Sequence, residues 1–437
     1  MIKLQNNFKY FYLSASLFLY LFIAYKLQRT DFYLLLVSFA GLFFCYYKLI
    51  NDYKADYKFL LFSTVAFRLL FAWVLPNLSQ DFYRFIWDGR LVAQGLNPYL
   101  ELPKNLIVNS NFHVQQAKEL FAGMGNLSAE HFSNYPPINQ FFFAIAGFFS
   151  SNSIVAAVVV FRIIIILADI GTLYFGQKLL KNLGLESSRI FWYLLNPLVI
   201  IELAGNLHFE GVMLFFLIFS MYLLQQHYYK WAAFAVALSI SIKLLPLLLL
   251  PVFYKYLGFR KAVVFYLIII LTNLAFFMPF LSSDLVGNYS KTIGLWFTNF
   301  EFNASFYYII RYIGFYIYGY NIIHSVGKIT PVLIILFICY KSFFSKNKTE
   351  IELFTTFLIV LTIHFFCSTT VHPWYIVNLI LLSVFTKYKF AFVWSFFIIL
   401  SYYAYSVFPF QENLYIIFIE YLVVFGFFFW EFRHSRL

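Results

Sequence analysis

Charged residues are scarce in this chain: Asp, Glu, Lys and Arg together make up 11% of its 437 residues. Soluble globular domains carry about 25%, so a soluble fold with a hydrated surface is excluded. Cysteine is scarcer still. Cys45, Cys339 and Cys367 all lie in apolar runs, with neither metal-ligand spacing nor a disulfide framework. There is no Gly-rich phosphate loop, zinc-binding motif or nucleophile elbow, which argues against ATP hydrolysis by this chain. No internal repeat of the kind that marks many transporters is evident. Acidic residues are few, 19 against 31 Lys and Arg, giving a formal charge of +12. In an apolar chain that excess sets membrane orientation rather than marking a nucleic-acid binder, so no nucleic-acid partner is expected.

What the chain has instead is apolar bulk, 62% of residues, with 24% aromatic. Apolar runs of the length needed to cross a bilayer, about 20 residues, recur throughout. The sequence therefore predicts an all-α polytopic membrane protein, a single integral domain over 1–437 of about 12–14 transmembrane helices among membrane lipids. Lys3 and Lys9 precede the first apolar run and no small-residue cleavage site follows, as in a retained signal anchor.

Apolar runs and basic loops give a topology. Residues 10–25 and 32–48 form a first hairpin around a tight turn at 26–31, and 59–76 crosses again. With the N-terminus inside, residues 77–152 become a first extracytoplasmic loop, in which 139–150 is too short to span and lies in the interface. Further crossings are expected at 153–177, 190–204 and 209–225. Residues 231–257 would run about 40 Å as one helix, so a pair broken near Lys243 is expected. Residues 262–280 lead to a second extracytoplasmic segment at 281–328 with an interfacial helix at 305–320, and five crossings follow. Most Lys and Arg residues then fall in inner loops, with both termini cytoplasmic in a cell (inner) membrane.

One polar stretch stands against this background. Asp81, Arg84, Asp88 and Arg90 fall within ten residues. If 80–93 is helical, Asp81 and Asp88 share a face with Arg84 one turn from each. A carboxylate beside a cation stays ionised and can take a proton from a hydroxyl; the same spacing also suits an ordinary helix-surface pair or an N-cap. The topology gathers other polar residues on the same outer side: Tyr135, His208, Glu210, Lys243, Glu301, Arg311 and His372. Lys243 interrupts an apolar run and reads either as a phosphate partner or as a lysine snorkelling to the interface. His372 suits a structural or a catalytic place. Arg162 and Asp169, seven apart in one crossing, read as a structural intramembrane pair, and Arg68 as a bundle contact or a site residue.

Residues 81–90, followed by Gly95, Asn97, Pro98 and Tyr99 and then by Tyr135, Pro136 and Pro137, resemble the first outer loop of GT-C superfamily glycosyltransferases, and most closely the bacterial polyprenyl-phosphate-mannose-dependent mannosyltransferases. Lys243 with Pro246, and His372 with Pro373, Trp374 and Tyr375, add to the likeness, which runs over most of 59–380. Phe85 stands where a tyrosine is common, and the hairpin at 10–48 precedes the helix that normally opens the fold. The resemblance implies an active site on the outer face and a polyprenyl-phosphate-linked sugar as donor, mannose or another hexose. It implies a glycan or lipid acceptor, inversion at the anomeric carbon, and Asp81 as general base. Arg84, Asp88, Arg90, Tyr135, His208, Glu210, Lys243, Glu301, Arg311 and His372 would then line the substrates, with Lys243 and Arg311 facing the leaving phosphate. Some GT-C enzymes use a divalent metal and others do not; Asp81, Asp88 and His372 offer ligands for one. Two other readings stay open, a transporter or flippase of lipid-linked sugars and a glycan ligase or polymerase.

Overall fold

The computed structural model describes residues 2–150 and 152–434. Ser151 and residues 435–437, the end of the expected inner tail, lie outside them. The described residues are helical throughout, with no strand beyond one isolated bridge between Phe302 and Thr370. Continuous apolar sequence explains this: in lipid every backbone N–H and C=O must be paired within its own segment, and a helix does so.

Seven helices are long and apolar enough to cross a membrane, or up to eight if one sharply bent pair is one span. The chain is thus a multi-pass membrane protein. The remaining crossings expected from sequence fall on shorter apolar helices, including Tyr229–Ile240, Leu245–Leu257, Pro373–Val384 and Phe390–Tyr405. The physical reason is local tightening. In Phe390–Tyr405 the second half, Ile398–Tyr405, is 3-10 helix. At about 2.0 Å per residue there and 1.5 Å before it, sixteen residues reach about 28 Å, close to one hydrocarbon thickness.

The chain starts with a helical hairpin, α1 (Ile2–Tyr25) and α2 (Phe32–Tyr53). The third helix, α3, covers only Tyr57–Leu69, shorter than the crossing expected at 59–76, and an irregular segment carries the chain to α4 (Asp81–Ala93). Helix α4 lies against Pro137–Phe149 at very close range. A Cβ on Gly89 would sit 2.1 Å from the Phe143 carbonyl oxygen, and one on Gly147 would sit 2.5 Å from the Gly89 carbonyl oxygen. Only glycine permits this backbone contact.

Two breaks in apolar helices shape the region beside α4. Residues 197–205 and Glu210–Gln225 meet at 113°, with a π-helical turn at Ile200–Gly205 before the bend. The second break follows Tyr229–Ile240, at residues 241–244, where the sequence predicts it. The second break joins the segment that follows α4. Pro137 opens its helix, leaving the next N–H groups without intrahelical partners. Ser241 supplies them: its carbonyl accepts from Ile138 N at 3.0 Å and Asn139 N at 3.1 Å.

The deep charges are paired internally, though not as expected. Asp169 accepts from Arg68 Nε at 2.6 Å, and Arg68 also donates to the Thr64 and Leu194 carbonyls. Arg162 instead donates to the Ala204, Gly205 and Ala72 carbonyls. Ala204 and Gly205 end the helix before the bend, where carbonyls have no later N–H in the helix to accept from, and Arg162 takes them.

Candidate active site

Asp81 is the first residue of α4 and is half-buried. Its carboxylate accepts no hydrogen bond and forms no ion pair among the described residues, while its backbone N–H leans on Ser79 Oγ at 3.4 Å. Burial pushes its carboxyl above the usual carboxylate range, and the positive charges of Lys243 and then Arg29 pull it back. The helix N-terminus adds a field that favours the anion.

Lys243 stands between two carboxylates. It acts on Asp81 through space and donates to Oε1 of Glu210, the first residue of the helix after the 113° bend. The second oxygen of Glu210 is buried without a partner. Tyr135 lies within reach of the charges of Asp81, Arg84, Asp88 and Glu210, and its backbone carbonyl accepts from the Tyr99 hydroxyl at 2.6 Å. Asn97 reaches the Phe280 carbonyl at 2.9 Å, and Asn288 reaches the Tyr99 carbonyl at 3.1 Å. The turn after α4 is thereby pinned to the segment that opens 281–328.

The rest of α4 is differently employed. Arg84 Nε pairs with Asp88 Oδ1 at 2.7 Å, and its Nη1 holds the carbonyls of Ser128 and His131. Asp88 is fully buried and receives Ser133 Oγ at 2.5 Å and Gln140 Nε2 at 3.1 Å. Arg90 binds the Gln115 carbonyl and, at 2.8 Å, Gln116 Oε1. The hydrogen bonds of these three side chains all go to residues between 84 and 140.

His208 and His372 belong to a stack of rings. Trp374 lies between them, 3.8 Å from His208 and 4.2 Å from His372 between centroids, and Phe302 covers the far face of His372 at 4.9 Å. Both faces of Trp374 are therefore taken by imidazoles. Burial first, then Arg29 and Lys243, push His372 down to about 3, so its ring is neutral in the physiological range. At the other end of the stack His208 Nε2 lies 3.6 Å from Glu202 Oε2, and the fully buried Glu202 also accepts from Tyr402 at 2.7 Å and Asn206 at 3.0 Å.

Glu301 and Arg311 pair with each other, in a second cluster with Tyr307, Asn321 and Tyr308. This cluster meets the first through Phe302, next in sequence to Glu301 and stacked on His372. The phosphate role expected of Arg311 is thus compromised by a carboxylate partner already in place. Among the described residues, no three His, Cys, Asp or Glu side chains are arranged to hold a metal ion, and Asp88 is committed to Arg84, Ser133 and Gln140.

Sequence reasoning missed Arg29, Glu202, Tyr402 and Tyr405. Arg29 lies in the turn between α1 and α2, its guanidinium 3.3 Å from the Tyr405 ring centroid. The signal for it was present: the topology that puts 77–152 outside also puts the turn at 26–31 outside. Glu202 was visible as a lone carboxylate within an expected crossing, which is costly unless paired.

Residues 13–257 match the family described as "Alpha-(1->6)-mannopyranosyltransferase, N-terminal domain". The match takes in most of the α1–α2 hairpin, which the sequence resemblance left uncovered, along with Asp81, Glu210 and Lys243. A curated relative, alpha-(1->6)-mannopyranosyltransferase B of Corynebacterium glutamicum, is 26% identical over 157 residues, 34% of this chain and 25% of the relative. The chain thus matches about a quarter of that relative's length.

Proposed function

The chain belongs to the alpha-(1->6)-mannopyranosyltransferase family, and from that premise we propose that it is an integral membrane glycosyltransferase that moves a single hexose, mannose first among the candidates, from a polyprenyl-phosphate donor to an acceptor hydroxyl on a glycan or lipid. The observation that carries this reading is the state of Asp81. It is a half-buried carboxylate, raised by burial, flanked by cations and without a hydrogen-bond partner among the described residues. That is the condition of a general base awaiting a proton.

The reaction balances without a nucleotide. The acceptor oxygen attacks the anomeric carbon while its proton passes to Asp81. The bond from that carbon to the phosphate oxygen breaks, and polyprenyl phosphate leaves with the electron pair. Direct displacement inverts the anomeric centre. Lys243, held by Glu210, keeps Asp81 ionised before attack. In this reading residues 77–152 and 281–328 face outward from a cell membrane, the termini face the cytoplasm, and the donor is used on the outer leaflet.

The test is transfer by the purified protein from a panel of polyprenyl-phosphate sugars, with the product linkage read by NMR. Transfer with inversion is expected. Retention would sink the direct displacement, and inertness toward the whole panel would sink the donor class. One observation favours a second reading, a flippase of lipid-linked sugars: Glu210 and Lys243 both sit at breaks in apolar helices, as ligand-binding charges do in transporters. Movement of lipid-linked sugar across liposomes without transfer would select it.

A further inference from the structure

Arg29 is the cation that the reading above leaves without work. It sits in the turn of the α1–α2 hairpin, and the structure fastens that turn to the segment leading into α4. Asn77 Nδ2 donates to the Ile23 and Leu27 carbonyls at 2.6 Å each. Leu27 is two residues before Arg29, and Asn77 is four before Asp81. The guanidinium lies on Tyr405 at 3.3 Å. Tyr405 in turn packs 5.8 Å from Phe302, at the end of the ring stack, and 5.9 Å from Tyr402, whose hydroxyl holds Glu202. Arg29 therefore lies beside the site, and its charge is felt by Asp81, Glu202 and His372.

What separates Arg29 from the other cations here is that it has neither a carboxylate nor a carbonyl partner among the described residues. Lys243 is given to Glu210, Arg84 to Asp88, Arg311 to Glu301 and Arg68 to Asp169. Arg90 and Arg162 are absorbed by carbonyl groups. Arg29 forms no ion pair among the described residues, and its Nε is buried without a hydrogen-bond partner. A guanidinium is a planar fork that matches two oxygens of a phosphate, and it is the residue suited to a site that is only partly hydrated. An exposed apolar stripe begins beside the same turn: Tyr33, Val37 and Phe44 of α2 are 73%, 72% and 55% exposed, a surface along which an isoprenoid chain could run.

We propose that Arg29 binds the phosphate of the lipid-linked donor, and that it holds the same phosphate as it leaves with the electron pair of the broken bond. This rests on the glycosyltransferase reading, and it adds the hairpin to an anion site for which the family resemblance offers Lys243 and Arg311. The guanidinium stays protonated throughout; the proton of the reaction goes to Asp81.

The experiment compares purified wild type, Arg29→Gln and Arg29→Lys. The probe is a short-chain prenyl phosphate without sugar, with the prenyl alcohol as control, and binding is read by intrinsic tryptophan fluorescence. Wild type is expected to prefer the phosphate over the alcohol. Arg29→Gln is expected to bind the phosphate roughly tenfold or more weakly, the loss of a charged hydrogen-bonding partner, with alcohol binding unchanged. Arg29→Lys, which keeps the charge but not the fork, is expected between the two, and it keeps the test decisive if Arg29→Gln folds poorly. In transfer assays the donor KM of Arg29→Lys should rise. Prenyl phosphate binding by both variants equal to wild type, with wild-type transfer intact, would overturn the assignment of Arg29 and leave the function standing. A wild type that neither transfers nor prefers the phosphate would overturn both.

Discussion

Asp81 and Asp88 are two carboxylates seven residues apart on one helix, and they have opposite fates. Asp88 is fully buried and surrounded by Arg84, Ser133 and Gln140. Asp81, at the start of the helix, has two cations in range, and its carboxylate accepts no hydrogen bond among the described residues. The same division recurs across the molecule. Arg68 and Asp169 pair with each other and hold helices together; Arg29 forms no ion pair among the described residues, and its Nε and the second oxygen of Glu210 have no hydrogen-bond partner there. Charge in an apolar protein thus serves two ends: charges paired between helices and loops fix the fold, and a carboxylate left without a partner is free for chemistry.

That division can be broken first at its closed side. Arg84→Ala strands Asp88 in a buried site and should cost about 3–5 kcal/mol of stability, seen as a lower melting temperature in detergent. A melt unchanged from wild type would mean that the pair is not structural. Next is Gly89→Ala, whose new methyl would collide with the Phe143 carbonyl. Pushing α4 off its neighbour should cost about 1–3 kcal/mol and lower activity through misplacement of Asp81.

The open side is sharpened by pH. Lys243 lowers the Asp81 carboxyl, which burial raises. Removing that cation in Lys243→Met lets the carboxyl rise further. A base must be ionised, so activity falls as pH drops through its value. The acid limb of the rate profile should therefore move to higher pH in Lys243→Met, and an unmoved limb would separate Lys243 from Asp81. The smallest effect is expected at the second cluster, where Glu301→Gln breaks a partly exposed pair with Arg311 and should change stability by less than about 1 kcal/mol.

Much of this was legible in the sequence. The helical membrane fold follows from apolar runs, and the break at Lys243 follows from a charge in a run of awkward length. Helix α4 was marked by its four charged residues. Periodicity cannot say which partner a charge finds in space. Arg162 and Asp169 share a face, yet Asp169 took Arg68 and Arg162 took the carbonyls that end the helix before the bend. Arg311 was expected beside the substrates but found Glu301 ten residues away. Arg29 was passed over because a short turn between two helices offers no pattern, although its outer placement was implied.

The most direct test sets the two aspartates of α4 side by side, measuring sugar transfer from polyprenyl-phosphate mannose per folded molecule in Asp81→Asn and Asp88→Asn. The account predicts that Asp81→Asn folds as wild type and loses roughly 10²–10⁴-fold in rate, the usual worth of a general base. It predicts that Asp88→Asn is destabilised yet transfers at close to the wild-type rate in the molecules that remain folded. Full activity in Asp81→Asn, or a folded and inactive Asp88→Asn, would contradict it.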